Sequence, residues 1–139
     1  RFAMPDIAGF DYSFSGLKTS FLYRLRDEVA ANPHFIEQNK ADLCASLQKN
    51  IIDILLKKLI AASQQLGIDN IAVAGGVSAN SGLRRELIAQ GNSRGWQVFI
   101  PKPAFTTDNA AMIAVAGYYK YLRGYLCDIS RPPFARTSI

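Results

Sequence analysis

The chain has 139 residues, 49% of them hydrophobic and 19% charged, with a formal net charge of +5 when its single histidine is neutral. That length suits one domain or a piece of one, with enough chain to bury a core. No membrane span is expected, since there is no apolar run of about 18 residues, and the start does not resemble a signal peptide. Two unpatterned cysteines fit a disulfide framework poorly, and without an HExxH motif nothing in the chain supports a self-contained zinc hydrolase.

From the N-terminus, Phe10 to Phe14 alternates aromatic and polar residues, which predicts a strand turned by Ser15-Gly16. Leu17, Phe21, Leu22, Leu25 and Val29 recur at helical spacing and predict a helix that stops before Asn32-Pro33. His34, in the turn that follows, is expected to be structural or solvent-exposed. A second helix is predicted from Asn39 or Lys40 to about Leu66, with an apolar stripe through Leu43, Leu47, Ile51, Ile54, Leu55 and Leu59 and a stop at Gly67. Cys44 falls on that stripe and is expected to be a buried core thiol. Cys44 and Cys127 form no CxxC and fit a reducing cytoplasm.

The apolar run Ile71 to Ala74 predicts a buried parallel strand, and Gly75-Gly76 follow it directly. Ser78 is expected to cap a helix over about Ala79 to Ala89 that carries Leu83, Leu87 and Ile88. Gly91-Asn92 and Gly95 are expected to break the chain, and Trp96 to Ile100 predicts another strand, ended by Pro101 and Pro103. Thr106-Thr107-Asp108 opens a last predicted helix, about Asn109 to Arg123. Its small residues Ala110, Ala114 and Gly117, with Ala111 beside them, predict close approach of another backbone. The tail from Asp128, with Pro132 and Pro133, reads as irregular.

Strand–helix alternation in the second half implies an α/β fold with parallel pairing. About three strands stand against four helices, so the sheet is expected to be incomplete and the exposed apolar surface open to self-association. The start at Arg1 rather than Met reads as a cut within a longer protein.

Three segments carry candidate chemistry. Gly75-Gly76-Val77-Ser78-Ala79-Asn80 joins a strand to a helix start. The glycines let a ligand approach the backbone, and the Asn80 amide can donate to it and accept from it. A tight turn with a capping asparagine is the alternative. Phe14-Ser15-Gly16-Leu17-Lys18-Thr19 is a second turn into a helix, and its Lys18 faces either an anion in a cleft or solvent. It lacks the GxxxxGK[ST] of a Walker A loop. Asp108 is a carboxylate at a helix start, suited to a hard metal or a general base, with helix capping as the alternative. Ligands of open parallel sheets bind beyond the carboxyl ends of the strands. Gly75, Gly76, Asn80 and Asp108 are therefore expected to line one crevice.

These three segments, with Thr107-Asp108-Asn109-Ala110-Ala111-Met112-Ile113-Ala114 completing the third, resemble signature motifs of the tRNA threonylcarbamoyladenosine transferase family (TsaD-type), once described as glycoproteases. The order and the 28-residue step from Asn80 to Asp108 match, and the resemblance spans nearly the whole chain. It implies the fold of the actin, Hsp70 and sugar-kinase superfamily (ribonuclease H-like), two lobes around a nucleotide cleft. This chain would be the C-terminal part of the second lobe.

The resemblance further implies that Gly75, Gly76 and Val77 approach the nucleotide, that Asn80 binds an adenylate substrate, and that Asp108 is one protein ligand of an iron or zinc ion acting as a Lewis acid. Lys18 would face the substrate or tRNA. The implied reaction is threonylcarbamoyl transfer from threonylcarbamoyl-AMP to N6 of the adenosine 3′ of the anticodon, in tRNAs reading codons that begin with A. The implied partners are an inactive paralogous subunit and a small P-loop ATPase. The family's HxxxH motif and its glycine-rich phosphate segment are absent here, so the chain alone is expected to be inactive and to bind no metal. An ATP-dependent kinase of the same superfamily and a non-catalytic scaffold paralogue are the alternative readings. The peptidase label finds no nucleophile–base pair in this sequence.

Overall fold

A computed structural model describes residues 2–132. Four α-helices and a two-stranded parallel sheet follow one another as α1 (Leu17–Ala31), α2 (Phe35–Leu66), β1 (Asn70–Ala72), α3 (Ser81–Arg94), β2 (Gln97–Phe99) and α4 (Ala110–Leu122). The chain is thus mostly helical, with the expected parallel pairing in its second half. The strands align Asn70 with Gln97, Ile71 with Val98 and Ala72 with Phe99. Val73 N–H donates to Phe99 O at 3.1 Å and carries the ladder one step further.

The expected strand over 10–14 does not form. Residues 11–14 are irregular, because no neighbouring strand takes up their backbone groups. Tyr12 instead borders a hollow that Leu55 and Leu59 also line, and Phe14 a groove that Leu17 and Leu47 also line. The second helix starts four residues before Asn39, at Phe35. Asn32 closes the entry turn, with its Oδ1 accepting from His34 N–H at 3.0 Å and its carbonyl from Phe35 N–H at 2.9 Å.

Ile52 and Leu56 of α2, Ile71 of β1, Leu83 and Leu87 of α3, and Trp96 form the core. The apolar stripe of α2 supplies its wall, but Cys44 is exposed rather than buried. The 32-residue α2 is longer than the sheet it covers, and Cys44 lies on the part that projects past the core. The N-terminal segment lies across α1 and α2. Asn50 Nδ2 donates to Ala3 O at 3.2 Å, and the buried Lys58 ammonium donates to the carbonyls of Ile7 and Gly9. A hydrogen bond from Lys57 and the charges of both lysines hold the exposed Asp6 carboxyl below the usual carboxylate range.

Gly91 and Asn92 were expected to break the third helix, yet α3 runs through them to Arg94. The reason is packing. A Cβ on Gly91 would stand 2.6 Å from Val98 Cγ2, so only glycine lets α3 lie this close to β2. In an open helix Gly→Ala gains up to about 1 kcal/mol of propensity. Here overpacking against a stiff β-branched neighbour costs about 1–3 kcal/mol and wins. Gly91→Ala is expected to lower the urea midpoint of the whole gene product with its m-value unchanged; a raised midpoint would show that Val98 yields.

The small-residue stripe of α4 packs against nothing among the described residues: Ala110, Ala111, Ala114 and Gly117 are all exposed, and nothing lies within 4 Å of a Cβ placed on Gly117. From Asp128 to Pro132 the chain forms no helix or strand, as expected of the tail, and the rest of that tail, Pro133 included, lies outside the described residues. No helix among them is long and apolar enough to cross a membrane.

Candidate functional site

The strands are parallel, so the segments leaving their carboxyl ends emerge at one edge of the sheet. Those segments carry every candidate residue except Lys18.

After β1 the chain turns through Gly75, whose φ of 80° and ψ of 172° belong to a region open essentially to glycine alone. A short 3₁₀ turn follows over Gly76–Ala79, closed by Ser78 N–H to Gly75 O and Asn80 N–H to Val77 O, both 3.0 Å. Gly76 is different. Its φ is not positive, and a Cβ there would meet nothing within 4 Å. Gly75 is therefore dictated by its backbone, whereas nothing inside the described chain demands glycine at 76. Val77 is exposed on the same turn.

Ser78 is not the expected helix cap. It sits inside the 3₁₀ turn, 2% exposed, and its hydroxyl has no partner among the described residues. The cap of α3 is Asn80, whose Oδ1 accepts from Leu83 N–H at 2.9 Å while its Nδ2 donates to Gln48 Oε1 at 3.0 Å. Two bonds leave the Asn80 amide one further donor and one further acceptor site. Gly82 is what lets this arrangement close: a Cβ there would lie 2.8 Å from Gln48 Nε2 and 3.2 Å from Asn80 Oδ1.

Behind the turn lies an apolar hollow of about 280 Å³, bordered by Tyr12, Leu55, Leu59, Val73, Val77 and Ser78. Burial pushes the Tyr12 phenol above its ordinary value.

After β2, a second 3₁₀ turn over Pro103–Phe105 leads to the buried Thr106, whose Oγ1 donates to Pro103 O at 2.8 Å. Asp108 follows, exposed, with no hydrogen bond or ion pair among the described residues. It does not cap α4. Asn109 does, its Oδ1 accepting from Met112 N–H at 3.1 Å. No three His, Cys, Asp or Glu side chains converge to hold a metal ion among the described residues. A single exposed carboxylate is not a metal site, so these residues by themselves do not fit one. His34 lies at the start of α2, 3.6 Å from Glu37, and is exposed as expected.

Lys18 is exposed in the first turn of α1 and borders a separate apolar groove with Phe14, Leu17, Phe21, Leu47 and Ile51. That groove shares no bordering residue with the hollow behind the Gly75–Asn80 turn.

Gln48, Gly82 and Arg84 also shape the site and were not among the sequence candidates. Gly82, in the first helical turn after the motif, was the one visible signal. Gln48 lies 32 positions from Asn80, and no local pattern joins them.

Residues 1–115 match the family model described as TsaD, tRNA N6-adenosine threonylcarbamoyltransferase. The chain is 60% identical over 139 residues to the protein of that name from Porphyromonas gingivalis, covering all of this chain and 41% of the relative. It is 54% identical over 138 residues to its namesake in Phocaeicola vulgatus, with 99% and 41% covered. With the Riemerella anatipestifer namesake it shares 52% over 138 residues, with 99% and 40% covered. The chain spans about two fifths of the length of these relatives.

Proposed function

Because the chain belongs to the tRNA N6-adenosine threonylcarbamoyltransferase family, we propose that the whole protein containing it transfers threonylcarbamoyl from threonylcarbamoyl-AMP to N6 of the adenosine 3′ of the anticodon, in tRNAs reading codons that begin with A. The family match over residues 1–115, which takes in all three motif segments, carries this reading. The excess of basic over acidic residues, 16 to 11, suits a polyanionic substrate.

Within that reading the chain is part of the second lobe of an actin-like, two-lobed fold. The Gly75–Gly76–Val77 turn receives the nucleotide portion of threonylcarbamoyl-AMP, or ATP or AMP. Open space over Gly76 supports a close backbone approach there, and the two unused bonding sites of Asn80 suit a ligand that both donates and accepts. Asp108 contributes one carboxylate toward a divalent iron or zinc ion whose other ligands lie outside this chain, which is why the described residues alone do not fit one. Lys18 takes the lesser role of a cation facing tRNA. The protein works in the cytoplasm with an inactive paralogous subunit and a small P-loop ATPase, and the 139-residue chain alone is inactive.

The test is a transfer assay. The whole gene product, supplied with threonylcarbamoyl-AMP, tRNA and its partners, is expected to convert the target adenosine; no conversion would overturn the reading. Gly76→Ala is expected to weaken AMP binding about tenfold or more, about 1.4 kcal/mol, with an unchanged melting temperature. Calorimetric affinity equal to the wild type would remove the nucleotide from Gly76.

A further inference from the structure

The two segments that carry the proposed site residues are linked by one side chain. Arg84, half-buried in the first turn of α3, donates from Nε to the carbonyl of Ser78 and from Nη2 to the carbonyl of Pro101 at 2.8 Å. Ser78 belongs to the turn that begins at Gly76, and Pro101 begins the segment that ends at Asp108. We infer that Arg84 is a positioning residue that fixes the Gly76–Asn80 turn against the Pro101–Asp108 segment, and so sets the spacing between the nucleotide contact and the Asp108 carboxylate. Its bearing on transfer rests on the function proposed above; the link itself does not.

The chemistry favours arginine at this position. A guanidinium presents donors in a rigid planar fork and can reach two carbonyls at once, whereas a lysine ammonium is a point donor on a flexible stem. Hydrogen bonds from a charged donor are about twice as strong as neutral ones. Each end of the bridge is stiffened locally. On one side, Ser78 and Asn80 N–H close the 3₁₀ turn, and Asn80 O accepts from Arg84 N–H at 3.1 Å. On the other, Phe105 N–H donates to Lys102 O at 2.9 Å, both Thr106 N–H and Oγ1 reach Pro103 O, and Asn109 Nδ2 donates to Thr107 O at 3.1 Å. A shift of either end is thereby passed along its segment. The pairing is also long-range: Ser78 and Pro101 are 23 residues apart and lie in the turns after different strands. A misplacement of about 1 Å far from the chemistry can cost about 100-fold in rate, so a strut between the Gly76 turn and the Asp108 segment matters even though its guanidinium touches neither Gly76 nor Asp108.

Arg84→Lys and Arg84→Met test this in the whole gene product by amide hydrogen exchange and by kinetics. The hydrogen-bonded amides of Ser78 and Asn80 and those of Phe105 and Thr106 are expected to exchange about tenfold faster or more in both variants, together, while α2 amides keep wild-type rates. Arg84→Lys is expected to lower kcat for transfer about tenfold or more with little change in KM, and to combine non-additively with Asp108→Asn. Faster exchange at only one segment, or at neither, overturns the strut whatever the activity. Faster exchange at both with wild-type kcat overturns its part in the reaction. If the wild type itself does not transfer, the functional reading fails and the exchange data still decide the bridge. Should Arg84→Met fail to fold, Arg84→Lys, which keeps the charge and most of the stem, carries both measurements.

Discussion

Asp108→Asn in the whole gene product is expected to lower threonylcarbamoyl transfer about a hundredfold or more, about 2.7 kcal/mol on the barrier, while the melting temperature stays close to that of the wild type. Two features of the structure separate these outcomes. The helix that Asp108 precedes is capped by Asn109, so the capping alternative for Asp108 has no support in the geometry. The carboxylate is exposed and forms no bond among the described residues, so its removal leaves no buried group unpartnered. What remains for stability is its charge near the N-terminus of α4, worth about 0.3–1 kcal/mol at an exposed site. A side chain that contributes so little locally can change activity strongly only through something it binds. Transfer that survives in Asp108→Asn would remove it from the reaction. A melting temperature that falls by several degrees would show an internal partner.

Leu87→Ala has the largest expected effect on stability. Leu87 is 1% exposed and stands at the centre of the cluster that joins α2, α3 and β1. Truncation removes the transfer energy of the buried methyl groups and leaves a cavity; together these cost about 2–5 kcal/mol. The cluster is small, and α3 meets the sheet at a contact held close by Gly91, so the void has little room to collapse. Urea unfolding of the whole gene product should show the lower midpoint. The Gly75–Asn80 turn leads directly into α3, and Arg84 of α3 bonds the segment after β2, so nucleotide affinity is expected to fall as well. A loss below about 1 kcal/mol would mean that the neighbouring side chains repack into the space.

Much of the fold was legible along the chain because the signals were local. The periodic apolar residues of α1 and α2, the stop at Gly67 and the apolar run at Ile71 each state a preference that short-range geometry decides. The resemblance of three short segments, in order and at the right spacing, was enough to point to a family that the comparisons then showed. The corrections share a cause. Ser78 has the chemistry of a cap, but the chain takes one more turn of 3₁₀ helix before α3, and the cap moves to Asn80. Gly91 carries the mark of a helix end, yet it is a packing surface for Val98. Phe10 to Phe14 alternates like a strand but has no neighbour to pair with.

The parallel strand–helix alternation, the glycine turn, the place of Asp108 and the family are all legible along the chain, because they depend on residue type and spacing. The path of the backbone in three dimensions is what makes glycine obligatory at 75 and not at 76. It also places Asn109 rather than Asp108 as the cap of α4, and has Arg84 join two turns separated along the chain. Each of these depends on which atoms meet across elements distant in sequence, and a local pattern carries no record of such meetings.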